Sequence, residues 1–325
     1  MSRPKKILSN LQGEMNTGFG SNAADYGGRF LNPDGSPNIR ISDIGMLEKI
    51  SWYHTMLGLK NWKFLMLIIS FFISINIFFA FVYYAMGVEL LSGMVYHNNL
   101  EKFTESFFFS CQTFTTVGYG RINPVGFASS AVAALEALLG LLSFAIVTGL
   151  FYGRFARPKA FLKFSDIAVL APYKNINALM LRVSPYKNTS LTDAEAKVTL
   201  GMSVEVNGKT ENRFYPLDLE FKTVNALTLS WTIVHPITEN SPLYNLTEDD
   251  YKKTQGEILI YLKAFDDMFA NTVTIRKSYT FQEIIAGAKF VPMFQRSATN
   301  TKTILHLDKI GATVPAELNE KMTAD

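Results

Sequence analysis

"SCQTFTTVGYGRINPVG", residues 110–126, is polar and glycine-rich, yet it lies between two stretches apolar enough to cross a membrane. From Phe64 to Tyr84, "FLMLIISFFISINIFFAFVYY", no residue is charged, and Phe127 to Tyr152 contains only Glu136. A helix needs about 20 predominantly apolar residues to cross the hydrocarbon core. Buried core helices usually run shorter and carry a polar stripe, so these runs predict two transmembrane helices. Irregular backbone is tolerated at membrane depth only where protein buries it or where it lines a water-filled path. The run between the spans must therefore line something.

Charge sets the expected orientation. Arg3, Lys5, Lys6, Lys49, Lys60 and Lys63 precede the first span, and Arg154, Arg157, Lys159 and Lys163 follow the second, whereas the intervening loop has only Lys102 and Arg121. Cytoplasmic flanks collect Lys and Arg, so both termini are expected in the cytoplasm, with the protein in a plasma (inner) membrane. The first span starts too far from Met1, and lacks a small-residue cleavage site after it, to read as a cleaved signal peptide. The 325-residue chain carries a net charge of +3, and 18% of its residues are charged, which is low for a soluble protein. The lone cysteine, Cys111, permits no intrachain disulfide. His54, His97, His235 and His306 are scattered, and no nucleophile, base or metal-ligand spacing recurs. No enzyme, cofactor or nucleic-acid partner is implied.

Outside the spans the composition changes twice. Residues 1–45 are rich in Gly, Asn, Pro and Ser and read as a largely extended or mobile cytoplasmic arm. Within residues 46–59, Leu47, Ile50, Tyr53, Met56 and Leu57 recur at helical spacing and predict a short amphipathic helix at the cytoplasmic interface. Residues 60–157 form the transmembrane part. After Pro158, "NALMLRVS", "KVTLGMSVEV", "LTLSWTIVHPI", "EILIYLKAF" and "NTVTIRKSY" are β-branched or alternating, with turn residues at Pro185, Asn207-Gly208, Pro236 and Pro242. Residues 158–310 are therefore expected to be an all-β cytoplasmic sandwich, and residues 311–325 a tail.

The run between the spans has a chemistry of its own. "FTESFFFSCQTFT" before it is helix-length but too short to span, so it can dip into the membrane and point the chain back out. Gly118 and Gly120 reach backbone angles closed to other residues, which lets the carbonyls of Thr116, Val117, Gly118 and Tyr119 turn toward one axis. Four such loops, with the Thr116 hydroxyl at the inner end, would replace the hydration shell of K+, and Tyr119 would pack outward to hold the ring open. "TTVGYG" carries the signature of potassium-channel filters. A bare GYG is weak, but here a re-entrant helix precedes it and two spans flank it. Two spans per chain cannot enclose a pore, so a homotetramer is required. The competing class is a membrane-anchored sensor or adaptor whose β domain binds a partner; such a protein has no use for two pore glycines after a re-entrant helix.

The cytoplasmic part resembles one family more closely. "LEALLGLLSFAIVTGLFYGRFARPKAFLKFS", "WTIVHPITENSPLY" and "IRKSYTFQEI" occur in the order of the inner-helix exit and two β segments of inward-rectifier potassium channels, especially bacterial members. The resemblance runs from about Met46 to Phe294. It implies a slide helix, outer helix, pore helix, filter and inner helix, followed by an immunoglobulin-like sandwich that extends the conduction path. It also implies residue roles: Gln112 and Thr115 as pore-helix support, Gly140 and Gly149 as inner-helix glycines for bending or packing, and Tyr152 as the bundle gate. Ala270 and Asn271 match the apex of a second constriction, and Glu211 an acidic vestibule position. Lys263 stands where the family usually has Glu, Gln112 where it commonly has a bracing Glu, and Phe144 where strong rectifiers have an acid that holds Mg2+ or polyamine blockers. The one inner-helix acid, Glu136, reads either as a pore charge or as a buried partner behind the filter. Lys60, Trp62, Lys63, Arg157 and Lys159 are expected to meet anionic lipid, phosphoinositides included.

Overall fold

The apolar runs and the short helix between them form one unit of the chain, Ile41–Arg157, and the β segments with the N-terminal arm form another, Met1–Arg40 with Pro158–Asp325. The computed structural model describes residues 28–42, 45, 51–187, 189–206, 209–244, 246, 250–251 and 256–319, with backbone only at 203–206 and 209–211. The expected Asn207-Gly208 turn lies outside the described residues.

Four α-helices stand among the described residues of the first unit. Helix α1 (Trp52–Gly58) starts at Ser51, whose side chain accepts the His54 N–H. The expected start of this helix, at residues 46–50, lies outside the described residues. The long helices α2 (Asn61–Met86) and α4 (Phe127–Phe155) are the two spans by length and composition, and the most apolar stretch of each is only 17% buried within the chain. Their apolar surface is therefore turned outward, which suits lipid or neighbouring subunits rather than a soluble core. Helix α3 (Asn99–Phe114) lies between them. It starts earlier than the apolar run suggests, because Asn98 Oδ1 accepts the Glu101 N–H at 2.9 Å while the Glu101 carboxylate accepts the His97 N–H at 2.7 Å. The first contact satisfies a first-turn donor that a helix cannot serve itself, and the second ties the preceding residue to that turn. Strands β1 (Leu91–Ser92) and β2 (Asn123–Pro124) pair antiparallel on either side of α3. Phe79, Tyr83, Leu91, Phe109 and Ile122 form the core where these pieces meet.

The second unit is a sandwich. Its strands are β3 (Leu162–Phe164), β4 (Ala168–Tyr173), β5 (Ile176–Pro185), β6 (Leu191–Val206), β7 (Lys209–Leu217), β8 (Thr223–Ala226), β9 (Trp231–Pro236), β10 (Gly256–Asp266), β11 (Asn271–Thr280) and β12 (Ile284–Ala286). One sheet runs β11-β10-β6-β7 with β8 on β6; the other runs β12-β4-β5-β3 with β9 on β5. Leu179, Leu181 and Ile233 of the second sheet share one buried core with Leu200, Ile258, Ile260 and Leu262 of the first. Two short strand pairs follow, β13 (Ala288–Phe290) against β16 (Thr313–Pro315) and β14 (Phe294–Arg296) against β15 (Thr303–Leu305).

Two expectations are corrected here. The described part of the arm is not free: Phe30 and Leu31 pack with Phe214 and Leu259 on the outer face of the first sheet. The buried Glu257 carboxylate accepts the N–H of Phe30 at 2.6 Å and of Leu31 at 3.1 Å, and Arg29 reaches Glu283 at 3.0 Å. A buried carboxylate needs donors, and the arm supplies them; this is why the first half of β10 is buried on both faces. The described part of the expected tail, residues 311–319, is likewise held to the sandwich. Strand β16 lies within it, and Asn319 exchanges hydrogen bonds with Asn177 at 2.9 and 3.1 Å.

Candidate pore and gate

Helix α3 hands the chain to the glycine-rich run through its last carbonyls. The Thr115 N–H bonds Cys111 O, the Thr116 N–H bonds Thr113 O at 3.0 Å, and the Gln112 carbonyl takes the N–H of both Val117 (2.9 Å) and Gly118 (3.3 Å). Thr115 Oγ1 donates back to Cys111 O at 2.7 Å. Gln112 and Thr115 thus support the run locally, Gln112 through its backbone. Beyond this point φ alternates in sign: Thr116 (+60°), Gly118 (+51°) and Gly120 (+83°) are positive, and Val117 and Tyr119 are not. Glycine takes such angles without steric cost, and Thr116 takes one against it. Such an alternation of φ is the pattern in which successive carbonyls can be turned to one side. Val117 is 54% and Tyr119 80% exposed, so neither packs on its own chain.

The outer end of the run is tied down by two contacts the sequence did not disclose. Arg121 Nη2 meets both carboxylate oxygens of Glu105, at 2.6 and 2.9 Å, and Asn123 Nδ2 donates to Gly120 O at 2.9 Å. Glu105 lies two helical turns before Gln112, so an ion pair spans α3 and the run although Gln112 cannot make one.

Helix α4 presents two faces. Glu136 is fully buried among α2 and α3, and its carboxyl bonds Tyr83 Oη at 2.6 Å and also Ser110. The reading of Glu136 as a pore charge is corrected: the side chain is used up behind α3. One turn on, Gly140 sits against the α3 terminus, where an added Cβ would lie 1.9 Å from Phe114 O. Phe144 and Tyr152 are 72% and 75% exposed, and Tyr152 lies about 160° around the helix from Glu136. Gly149 has open space around it.

At the end of α4 sits a residue that sequence reading counted only as a flank charge. The Arg154 guanidinium donates to Met56 O (2.7 Å), Leu57 O (3.3 Å), Leu59 O (2.7 Å) and Asn61 Oδ1 (2.7 Å) and stacks 4.4 Å from the Phe64 ring. Its planar fork caps the carbonyls at the end of α1, which no helix satisfies internally. Lys60, Trp62, Lys63, Arg157 and Lys159 are exposed within their own units.

In the β unit, Lys263 is not an isolated positive charge. It stands directly opposite Glu195 across β10 and β6, with Nζ 2.7 Å from the carboxylate. Lys263 in turn holds the Glu195 carboxyl below the ordinary range by that hydrogen bond. The Glu211 side chain lies outside the described residues. Ala270 (φ +46°) is at the β10–β11 hairpin, next to Asn271. Buried Asp266 shapes this turn by accepting the Met268 N–H at 3.0 Å, and Thr192 Oγ1 donates to Asp267 at 3.1 Å. His235 is a structural hydrogen-bonder: Nδ1 meets Asp218 O and Nε2 meets Ser241 Oγ, and burial pushes its pKa down.

A re-entrant helix and its glycine-rich exit, bracketed by two apolar helices and followed by a β-sandwich, define a two-span pore-loop channel. Comparison with known proteins agrees. Residues 70–157 match a model of ion channels, and residues 162–322 match the inward rectifier potassium channel C-terminal domain. The inward rectifier potassium channel Kirbac3.1 of Paramagnetospirillum magnetotacticum is 34% identical over 82% of this chain and 89% of its own length. The inward rectifier potassium channel irk-1 of Caenorhabditis elegans is 28% identical over 81% of this chain, which spans only 52% of that relative. The chain belongs to the inward rectifier potassium channel family.

The two inner-helix glycines should behave differently. A methyl group at Gly140 drives into backbone that no rotamer change relieves, at a cost of about 1–3 kcal/mol or more. Gly140→Ala should lower the melting temperature of the detergent-solubilised protein by several degrees, while Gly149→Ala should leave it unchanged. Equal melting curves for the two variants would contradict the close α3–α4 approach.

Proposed function

We propose that the chain forms a homotetramer in the plasma (inner) membrane, with both termini cytoplasmic, and conducts potassium passively through residues 116–120. The alternating φ signs after a short helix between the spans support this reading, because such a backbone allows the carbonyls of Thr116, Val117, Gly118 and Tyr119 to turn to a common side and take the place of water around K+. Four chains supply the ring and cover backbone and aromatic surface that one chain leaves exposed. Gating falls to the α4 ends, where Tyr152 narrows the path and Gly149 has room to bend, and to the Ala270–Asn271 turn. No cofactor is needed; potassium is the permeant ion. Gly118→Ala adds a side chain at positive φ and should abolish potassium-over-sodium discrimination or conduction. Tetramers of this variant that discriminate like the parent would remove residues 116–120 from the path.

Anionic lipid, phosphoinositides included, is the proposed modulator. Lys60, Lys63 and Arg157 are exposed cations at the ends of the two spans, with Trp62 next to Lys63, and exposed Lys159 follows Arg157 in sequence; each such cation gains about 1 kcal/mol near an anionic surface. Neutralising Arg157 and Lys159 together should shift the dependence of flux on anionic lipid. An unchanged titration would leave these residues as topological anchors.

Rectification should be weak. Phe144 offers no charge to hold Mg2+ or polyamine, and Glu136 is turned away behind α3; the expectation rests on these two residues, because Lys263 is compensated by Glu195 and adds no free repulsion. Phe144→Asp should strengthen block by internal spermine at least about tenfold, the effect of placing four carboxylates around a multivalent cation within a Debye length. Steep spermine block in the unmodified protein would contradict the assignment of the cavity face.

A further inference from the structure

Counting protons around Glu136 gives it a definite chemical form. Four contacts meet here, one within α2 and three joining α2, α3 and α4. Asn76 Nδ2 lies 2.7 Å from Phe72 O, Ser110 Oγ lies 2.9 Å from Asn76 Oδ1, Ser110 also bonds Glu136, and Tyr83 Oη lies 2.6 Å from the other Glu136 oxygen. Phe72 O has no proton, so the amide end of Asn76 must face it and the oxygen end must face Ser110. Ser110 has one hydroxyl proton for two contacts. If it serves Asn76, the bond to Glu136 needs a proton from Glu136; if it serves Glu136, Asn76 Oδ1 meets Ser110 Oγ without a proton between them. Asn76, Ser110 and Glu136 are all fully buried, so water does not make up the shortfall.

We infer that Glu136 is a neutral, proton-donating brace: its carboxyl O–H donates to Ser110 Oγ, the Ser110 O–H donates to Asn76 Oδ1, and the Tyr83 O–H donates to the second carboxyl oxygen. Every polar atom of the cluster is then satisfied, and no net charge is buried in the membrane. The chain of bonds fixes Ser110 to both spans, one turn before the α3 terminus that holds Val117 and Gly118 through Gln112 O. Glu136 is thus a positioning residue for the pore loop, acting by hydrogen bonding alone. The positioning role rests on the conduction reading above; the protonation state does not.

Gln can reproduce both bonds, since its amide donates to Ser110 and its carbonyl accepts from Tyr83. Glu136→Gln should therefore keep potassium flux, the potassium-over-sodium ratio and spermine block within about twofold of the parent. Ser110→Ala, Tyr83→Phe and Glu136→Leu, which leave buried partners unmade, should lower the ratio about tenfold. Tetramer elution checks folding, and the Gln variant decides the case even if the Leu variant fails to assemble. Infrared spectra of the reconstituted parent at neutral pH should show the carbonyl stretch of a protonated carboxyl that Glu136→Gln abolishes. A Gln variant as poorly selective as Ser110→Ala, a loss of spermine block in it, or a carboxylate band in place of the carboxyl band would each overturn the inference. A parent that fails to discriminate potassium from sodium, with the carboxyl band present, would refute the conduction reading and leave the protonated brace standing.

Discussion

A backbone amide or carbonyl left without a partner in hydrocarbon costs several kcal/mol, and the rest of this molecule is arranged around one segment that incurs that cost. After Phe114 the chain stops being helical between the two spans. Part of the demand is met locally, because the Gln112 carbonyl takes two amides and Thr115 turns back on Cys111. Among the described residues, the carbonyls of Thr116, Val117, Gly118 and Tyr119 have no such use within the chain. In the proposed tetramer they are satisfied by permeant ions, so the segment that would be a folding fault in one chain becomes the conducting element in four.

Holding such a segment still requires rigid neighbours, and α4 supplies them on one face only. Glu136 and Gly140, one turn apart, meet Ser110 and Phe114, also one turn apart, so the seam between α4 and α3 is both hydrogen-bonded and closely packed. Farther along, α4 is exposed at Phe144 and Tyr152 and has space at Gly149. It ends in Arg154, which grips the carbonyls of α1 and the turn into α2. A helix fixed at one end by packing and attached at the other to α1 couples the two.

Both spans, the re-entrant helix and the β-sandwich were legible because hydrophobic runs, strand alternation and a specific glycine pattern are local signals. What stayed hidden depended on distant partners. Glu136 could not be assigned to the pore or to the core without knowing that Tyr83 and Ser110 lie beside it. Arg154 looked like any basic flank residue, since carbonyls acting as acceptors leave no trace in side-chain identity. The arm at residues 28–38 read as loose because its donors answer to Glu257, over 200 residues away. Lys263 read as an uncompensated charge because Glu195 becomes its neighbour only through strand register.

The central claim is selective conduction by the unmodified protein, and ion uptake into proteoliposomes measures it most directly. With equal gradients and an anionic-lipid series, the protein should take up potassium or rubidium in a time-dependent manner and exclude sodium. Sodium uptake equal to that of potassium, or no uptake above empty vesicles at any lipid composition despite verified tetramers, would contradict it.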